Sequence, residues 1–183
     1  ADHSPVTADD REAETRMRAW LAGRFPDHAV VGEEHGGQLS GRGCEWVLDP
    51  IDGTRSFIRG VPLYTTLVAL LVDGRPVVGV IHAPATGELV SAAAGCGAWD
   101  QAGRPVRVAA TTSLQDAWVL TTDPADLARR EPRLSAGLLA GCAGLRTWAD
   151  GYGYLLLARG DADVMIDPEL SPWDIAPLGV VVR

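Results

Sequence analysis

The chain has 183 residues, 46% of them apolar and 22% charged, a composition that excludes wholesale disorder and points to one domain or two small lobes sharing a core. Its 16 Lys and Arg against 24 Asp and Glu leave a formal charge of −8, the wrong sign for a protein that binds by neutralising nucleic-acid phosphates. An anionic ligand would have to be drawn by a local device such as a metal ion or a cluster of backbone N–H groups.

Thr7, followed three residues later by Asp10, opens a helical pattern over residues 8–23. Ala13, Met17, Leu21 and Trp20 fall on its apolar stripe, with Arg11, Glu12, Glu14, Arg16 and Arg18 facing elsewhere. Gly23 and Pro26 stop it. Ala29, Val30 and Val31 form a short strand leading into Gly32-Glu33-Glu34, and a polar, Gly-rich loop follows over 35–43. Trp46, Val47 and Leu48 read as a buried strand with Asp49 at its C-terminal end. Residues 63–72, 77–83 and 88–93, rich in Val, Leu and Thr and separated by turn formers, predict an antiparallel meander. Further strands are expected at 104–108, 118–121 and 161–166, and helices at 124–141 and 151–159. The sum is a mixed α/β layered domain with polar loops at its strand ends. The tryptophans at 20, 46, 99, 118, 148 and 173 read as core or lobe-packing residues.

Cys44, Cys96 and Cys142 are odd in number and hold no C-x-x-C pair, so neither a zinc site nor a disulfide framework is expected, and a reducing cytoplasm is the expected compartment. Asp2, Asp9, Asp10 and Glu12 lack the basic-then-apolar order of an export signal. The most apolar stretch, 61–72, contains Tyr64, Thr65 and Thr66 and falls short of the roughly 18 residues a membrane helix needs, so no membrane partner is expected.

The chemistry concentrates in Asp49-Pro50-Ile51-Asp52-Gly53-Thr54, preceded by Glu33-Glu34. Carboxylates crowded at the end of an apolar strand repel one another, and a divalent cation removes that penalty. Pro50 biases Asp49 towards an extended conformation, which turns Asp49 and Asp52 towards one point. Hard oxygen ligands suit Mg²⁺ or Mn²⁺ better than zinc. Gly53 lets the backbone approach an anion closely where a turn enters a helix, and Thr54 adds a hydroxyl. D-P-x-D-G alone is also a common surface turn; Glu33-Glu34, Asp10, Thr54 and the later Trp173-Asp174 favour a site. His35, in its Gly-rich loop, reads as a solvated side chain, and Arg59 as either a substrate contact or a surface charge.

G-E-E at 32–34, W-V-L-D-P-I-D-G-T at 46–54 and W-D at 173–174 resemble the inositol monophosphatase superfamily of metal-dependent, lithium-sensitive phosphomonoesterases, which includes fructose bisphosphatases and bisphosphate nucleotidases. The resemblance runs from Val6 to Val182. Within it, Ser56-Phe57-Ile58-Arg59-Gly60-Val61-Pro62 and Gly151-Tyr152-Gly153-Tyr154 are most similar to the histidinol-phosphate phosphatase branch.

That resemblance implies an alternating α/β/α/β/α sugar-phosphatase-like fold in a single domain over 1–183, with a metal-site lobe to about 110 and a second lobe from about 111. By the same resemblance, Glu33, Asp49 and the Ile51 carbonyl hold a first Mg²⁺, and Asp49, Asp52 and Asp174 a second. A third, looser ion would lean on Glu33, and Mn²⁺ could substitute. Asp10 and Thr54, with Glu33, would orient and activate the attacking water; the N–H groups of Gly53 and Thr54 would contact phosphate. Asp167 and Asp150 would contact the rest of the substrate, although Asp167 before Pro168 is also a turn former. The implied activity is hydrolysis of L-histidinol phosphate. Inositol phosphate or a nucleotide bisphosphate is the alternative on the same site, and an inactive metal- or phosphate-binding fragment the alternative of another class. The implied partner is a small phosphomonoester, with a homodimer left open. Family members carry a further helix before the segment matching Val6 and continue past Trp173-Asp174, so a fragment or a compact member is expected. A helix from Trp173 would then stop after about two turns, leaving apolar Val180, Val181 and Val182 at the terminus and an open sheet edge.

Overall fold

The structure is a computed structural model that describes residues 7–148 and 150–182; Asp2 and Val6 lie outside them. Helix α1 (Ala8–Arg24) begins at Thr7 in a reciprocal cap: the Asp10 N–H donates to Thr7 Oγ1 at 3.3 Å, and the Thr7 N–H donates to Asp10 Oδ2 at 2.8 Å. What the helix buries differs from the expected stripe. Asp10 and Glu14 are fully buried beside Leu21, whereas Trp20 is 60% exposed. The face carrying Glu14 and Arg18 meets backbone N–H and C=O groups of the next strand and turn, and those groups need polar partners.

Seven strands follow in one sheet, ordered as in the chain: β1 (Ala29–Gly32), β2 (Cys44–Asp52), β3 (Thr65–Val72), β4 (Arg75–Ala83), β5 (Glu88–Ala93), β6 (Gly97–Asp100) and β7 (Pro105–Val106). β1 and β2 pair in parallel and the rest antiparallel, so the expected meander is present. Asp73 and Gly74 turn β3 into β4 with φ of 50° and 75°, the positive values a tight hairpin needs. β6 is an addition: four residues opened by a Gly carry too little periodicity to be read. β2 does not stop at Asp49. It runs on to Asp52, with Asp49 opposite Leu67 and Asp52 opposite Thr65, so β2 carries one residue more than β3 between these pairs. This bulge admits Pro50, which has no N–H, while the Pro50 carbonyl accepts from Thr66 Oγ1 at 2.8 Å.

Strand alternation divides the sheet's faces. Trp46 meets Phe25 on one side, where α1 lies, and Val47 meets Ala176 on the other. That second face, with Leu67, Ile81, Ala83, Val90 and Ala92, packs against α5 (Asp150–Arg159) and α6 (Pro172–Val181) through Leu155, Ala158, Leu178 and Val181. Gly79 permits a close approach of α6, since a Cβ there would overlap the Pro177 carbonyl. The three valines at the end of α6 are part of the core: Val181 is 3% exposed, and Val180 and Val182 pack against the same cluster.

Beyond α5 lies a parallel three-stranded sheet ordered β10 (Val164–Met165), β8 (Trp118–Leu120), β9 (Gly144–Arg146). Val119 packs there with Leu127 of α3 (Pro124–Arg130) and Leu138 of α4 (Pro132–Gly141). The single helix expected over 124–141 is two, because Pro132 opens the second and cannot continue the first. The layers run α1, large sheet, α5 with α6, small sheet, α3 with α4, which is the expected five-layer order. The tryptophans depart from expectation: Trp20, Trp99, Trp118 and Trp148 are exposed, the last two stacked on each other at 9° between planes.

Candidate active site

The bulged end of β2 and the first turn of α6 bring Asp49, Asp52 and Asp174 together, with one oxygen of each within 4.8 Å of the others. Asp52 is aimed by two donors on its Oδ2: the Thr65 hydroxyl from the opposing strand and the Gly151 N–H from α5, both at 2.6 Å. Gly151 must be glycine for this, as a Cβ would overlap Thr65 Oγ1 and Asp52 Oδ2. Asp174 Oδ2 accepts the Ser171 N–H at 2.8 Å, which fixes it at the start of α6.

Asp49 is 2% exposed, and its Oδ1 has no hydrogen-bond partner among the described residues. Burial, then the charges of Asp52, Glu33 and Asp174, pushes its carboxyl well above the ordinary range. Asp52 is raised likewise by burial and by Asp150, with the Thr65 and Gly151 hydrogen bonds opposing. Glu33, which hydrogen-bonds Asp49, is pushed up to about 7, chiefly by burial and then by the charges of Asp174, Glu34 and Asp10. A buried, unpartnered carboxylate oxygen amid mutually repelling carboxylates is a donor set that a hard divalent cation fits.

Glu33, Asp49, Ile51, Asp52, Gly53, Thr54, Asp150 and Asp174 line one cavity of about 1010 Å³. Gly53 takes φ 82° and begins α2 (Thr54–Phe57), whose first N–H groups have no intrahelical acceptor. Thr54 Oγ1 donates to the Ile51 carbonyl at 3.1 Å and lies 3.5 Å from Asp10 Oδ1. Asp10 stands behind Thr54, its Oδ2 held by the Thr7 N–H and hydroxyl. Arg59 reaches the same cavity, but His35 does not: its ring sits on Thr15 and the Arg11 carbonyl of α1.

Asp167 lies apart from the main cluster, in an adjoining cavity of about 170 Å³ that it shares with Asp52, Asp150 and Asp174. Thr122, Asp123, Asp126, Glu169 and Tyr154 complete its polar lining. The Thr122 N–H donates to Asp167 Oδ1 at 2.8 Å and the Tyr154 hydroxyl to Oδ2 at 3.2 Å. Thr122 Oγ1 also accepts the Asp150 N–H at 3.1 Å, supporting the unusual φ of 51° at Asp150. Burial, then the charges of Asp167 and Asp174, raises the Asp150 carboxyl to about 6.

A sequence profile of the inositol monophosphatase family matches residues 1–183. The chain belongs to that family. It is 42% identical to a histidinol-phosphatase of Chlorobaculum parvum, over all of this chain and 70% of that protein. It is 40% identical to a histidinol-phosphatase of Mycobacterium tuberculosis, over all of this chain and 72% of that one. The crystal structure of the extragenic suppressor protein suhB from Bartonella henselae superposes with a TM-score of 0.89 at 27% identity, covering all of this chain and 72% of that one. As an inositol monophosphatase family member the chain is a phosphoric monoester hydrolase of a metal-dependent family, and its acidic cluster could hold the metal. No helix among the described residues is long and apolar enough to cross a membrane.

Thr65, Thr122, Tyr154 and Glu14, which support this family member's acidic residues, were not legible as such in the sequence. The one usable signal is that Asp10 and Glu14 stand at i and i+4, on the same helix face.

Proposed function

We propose that this phosphatase hydrolyses L-histidinol phosphate to L-histidinol and phosphate, with Mg²⁺ held by Glu33, Asp49, the Ile51 carbonyl, Asp52 and Asp174. The observation that carries the reading is the convergence of Asp49, Asp52 and Asp174 around an unpartnered Asp49 Oδ1, beside a second cavity walled by carboxylates. Two or three ions fit the proposal, with Mn²⁺ as a substitute. When bound, they supply an acidified water and neutralise the phosphate dianion.

The chain's own groups orient the reactants. Thr54 Oγ1 gives its proton to the Ile51 carbonyl, so towards a water it can only accept, and Asp10 Oδ1 can only accept as well. A water between them directs both its protons at protein, leaving a lone pair for phosphorus, and Asp10 takes a proton as the bond forms. The N–H groups of Gly53 and Thr54 hold phosphate oxygens while the ester P–O bond breaks, and the departing histidinol oxygen takes a proton from solvent, to which Asp10 returns the one it accepted. Neither His nor Cys lines the main cavity among the described residues, which supports direct attack by water without a phosphoenzyme.

Histidinol phosphate carries an ammonium and an imidazole, and Asp167 and Asp150 present carboxylates to them. The likeness to two histidinol-phosphatases across the whole chain supports the same substrate. The free cysteines suit a reducing cytoplasm. The test is phosphate release from L-histidinol phosphate, inositol 1-phosphate, a nucleotide bisphosphate and an aryl phosphate, with and without Mg²⁺. Histidinol phosphate should give the highest kcat/KM, and chelation should abolish turnover. A preference for inositol phosphate overturns the substrate, and full activity after chelation overturns the cation.

A further inference from the structure

Glu14 is a carboxylate with no exposed surface, outside the cluster just described. It reaches from α1 to the segment that carries Glu33 and grips it on both sides. On one side, Glu14 Oε2 accepts the Glu34 N–H at 2.7 Å, and the His35 N–H lies 3.4 Å from both carboxylate oxygens. On the other, Gly32 lies against the carboxylate so closely that a Cβ would overlap it. Arg18, one turn along α1, balances the charge by donating from Nε to Glu14 Oε1 at 2.6 Å. Its remaining nitrogens take the Val30 carbonyl at 3.0 Å and the Gly36 carbonyl at 2.7 Å, tying the end of β1 to the turn beyond it. The Glu33 N–H donates to the Leu48 carbonyl at 3.1 Å, next to Asp49 on β2.

We propose that Glu14, backed by Arg18, is a positioning residue that sets the backbone on either side of Glu33 and so presents the Glu33 carboxylate to a divalent cation. The proposal rests on Glu33 being a cation ligand. A side chain serving only to stabilise α1 would need just the Arg18 pair, as the exposed Glu12–Arg16 pair on the same helix has. Glu14 instead directs its remaining acceptors at consecutive N–H groups immediately after Glu33. A carboxylate can accept on every lone pair, whereas an amide in its place would turn a donor towards N–H groups. Groups that orient a metal ligand typically change metal affinity about 10- to 100-fold when removed.

The experiment measures Mn²⁺ binding to the metal-free full chain, by calorimetry and by electron paramagnetic resonance, for wild type, Glu14→Gln, Arg18→Met, Glu33→Gln and the surface control Glu12→Gln. Glu14→Gln should weaken binding about 10- to 100-fold, keep the wild-type far-ultraviolet dichroism, and recover wild-type kcat at high Mn²⁺. Glu12→Gln should bind as wild type does. Unchanged Mn²⁺ affinity in a folded Glu14→Gln, with weakened binding in Glu33→Gln, overturns the positioning role alone. Unchanged affinity in Glu33→Gln overturns the ligand reading on which it rests. Should Glu14→Gln not fold, Arg18→Met decides by the same measurement: weakened Mn²⁺ binding supports the role, and wild-type affinity overturns it.

Discussion

Thr65 and Asp52 stand opposite each other on β3 and β2, and the Thr65 hydroxyl donates to Asp52 Oδ2 at 2.6 Å. The Gly151 N–H donates to the same oxygen, so both hydrogen bonds fall on Oδ2. Thr65→Val, close in shape but without the donor, should raise the Mg²⁺ concentration for half-maximal activity about 10- to 100-fold. Thr65→Ser should stay near wild type. Equal activation curves for all three proteins would show that Gly151 suffices.

The metal-free protein should lose stability as pH rises. Glu33 and Asp150 are pushed up to about 7 and about 6 in the folded state, and Asp49 and Asp52 are also raised well above the ordinary carboxylate range by burial and neighbouring charges. Carboxyls raised in the folded state contribute stability that is complete below the ordinary carboxylate range and is lost as pH climbs through the folded values. The Tm without metal should therefore fall between pH 5 and pH 8, and Mg²⁺ added at pH 8 should restore it. A Tm that is flat or rising over that range, and indifferent to Mg²⁺, would contradict the repulsion.

Asp167 is expected to decide selectivity. Losing one charge-assisted hydrogen bond costs roughly 1.5 to 3 kcal/mol, or about 10- to 150-fold in kcat/KM. Asp167→Asn should impair L-histidinol phosphate by about that factor while barely affecting an aryl phosphate. Because Asp167 also accepts from Tyr154, Tyr154→Phe provides a companion that keeps the charge and should be far milder. Equal loss on both substrates would assign Asp167 to supporting the fold or the cluster.

Where periodicity and turn chemistry act locally, the fold was legible. The meander, the cap at Thr7 and two strands of the second sheet, β8 and β10, follow from alternation and turn residues, whereas β9, three residues opened by Gly144, was not expected. Asp49 and Asp52 were legible because carboxylates crowded at the end of an apolar strand repel one another unless a cation lies among them, whereas the ligand roles of Glu33 and Asp174 came from the family resemblance. Less legible were features that depend on what a residue meets across space. The apolar stripe of α1 missed Asp10 and Glu14, whose burial is set by backbone donors of another segment. The bulge at Pro50 depends on pairing with β3. The burial of Val181 depends on α6 lying across the large sheet. Pro132 could have been read as a break, but the apolar pattern on both sides concealed it.

Asp49 is the buried carboxylate with an unpartnered oxygen at the centre of the cluster, and cation-dependent hydrolysis depends on it most directly. Asp49→Asn keeps its shape while removing its charge, and Cys44→Ser, on the same strand but outside the cluster, is the control. The decisive measurement is phosphate release from L-histidinol phosphate by both variants at saturating Mg²⁺. Release by Asp49→Asn should fall to background with the fold intact, and Cys44→Ser should match wild type. Turnover near wild type in Asp49→Asn would contradict cation-dependent hydrolysis at this site.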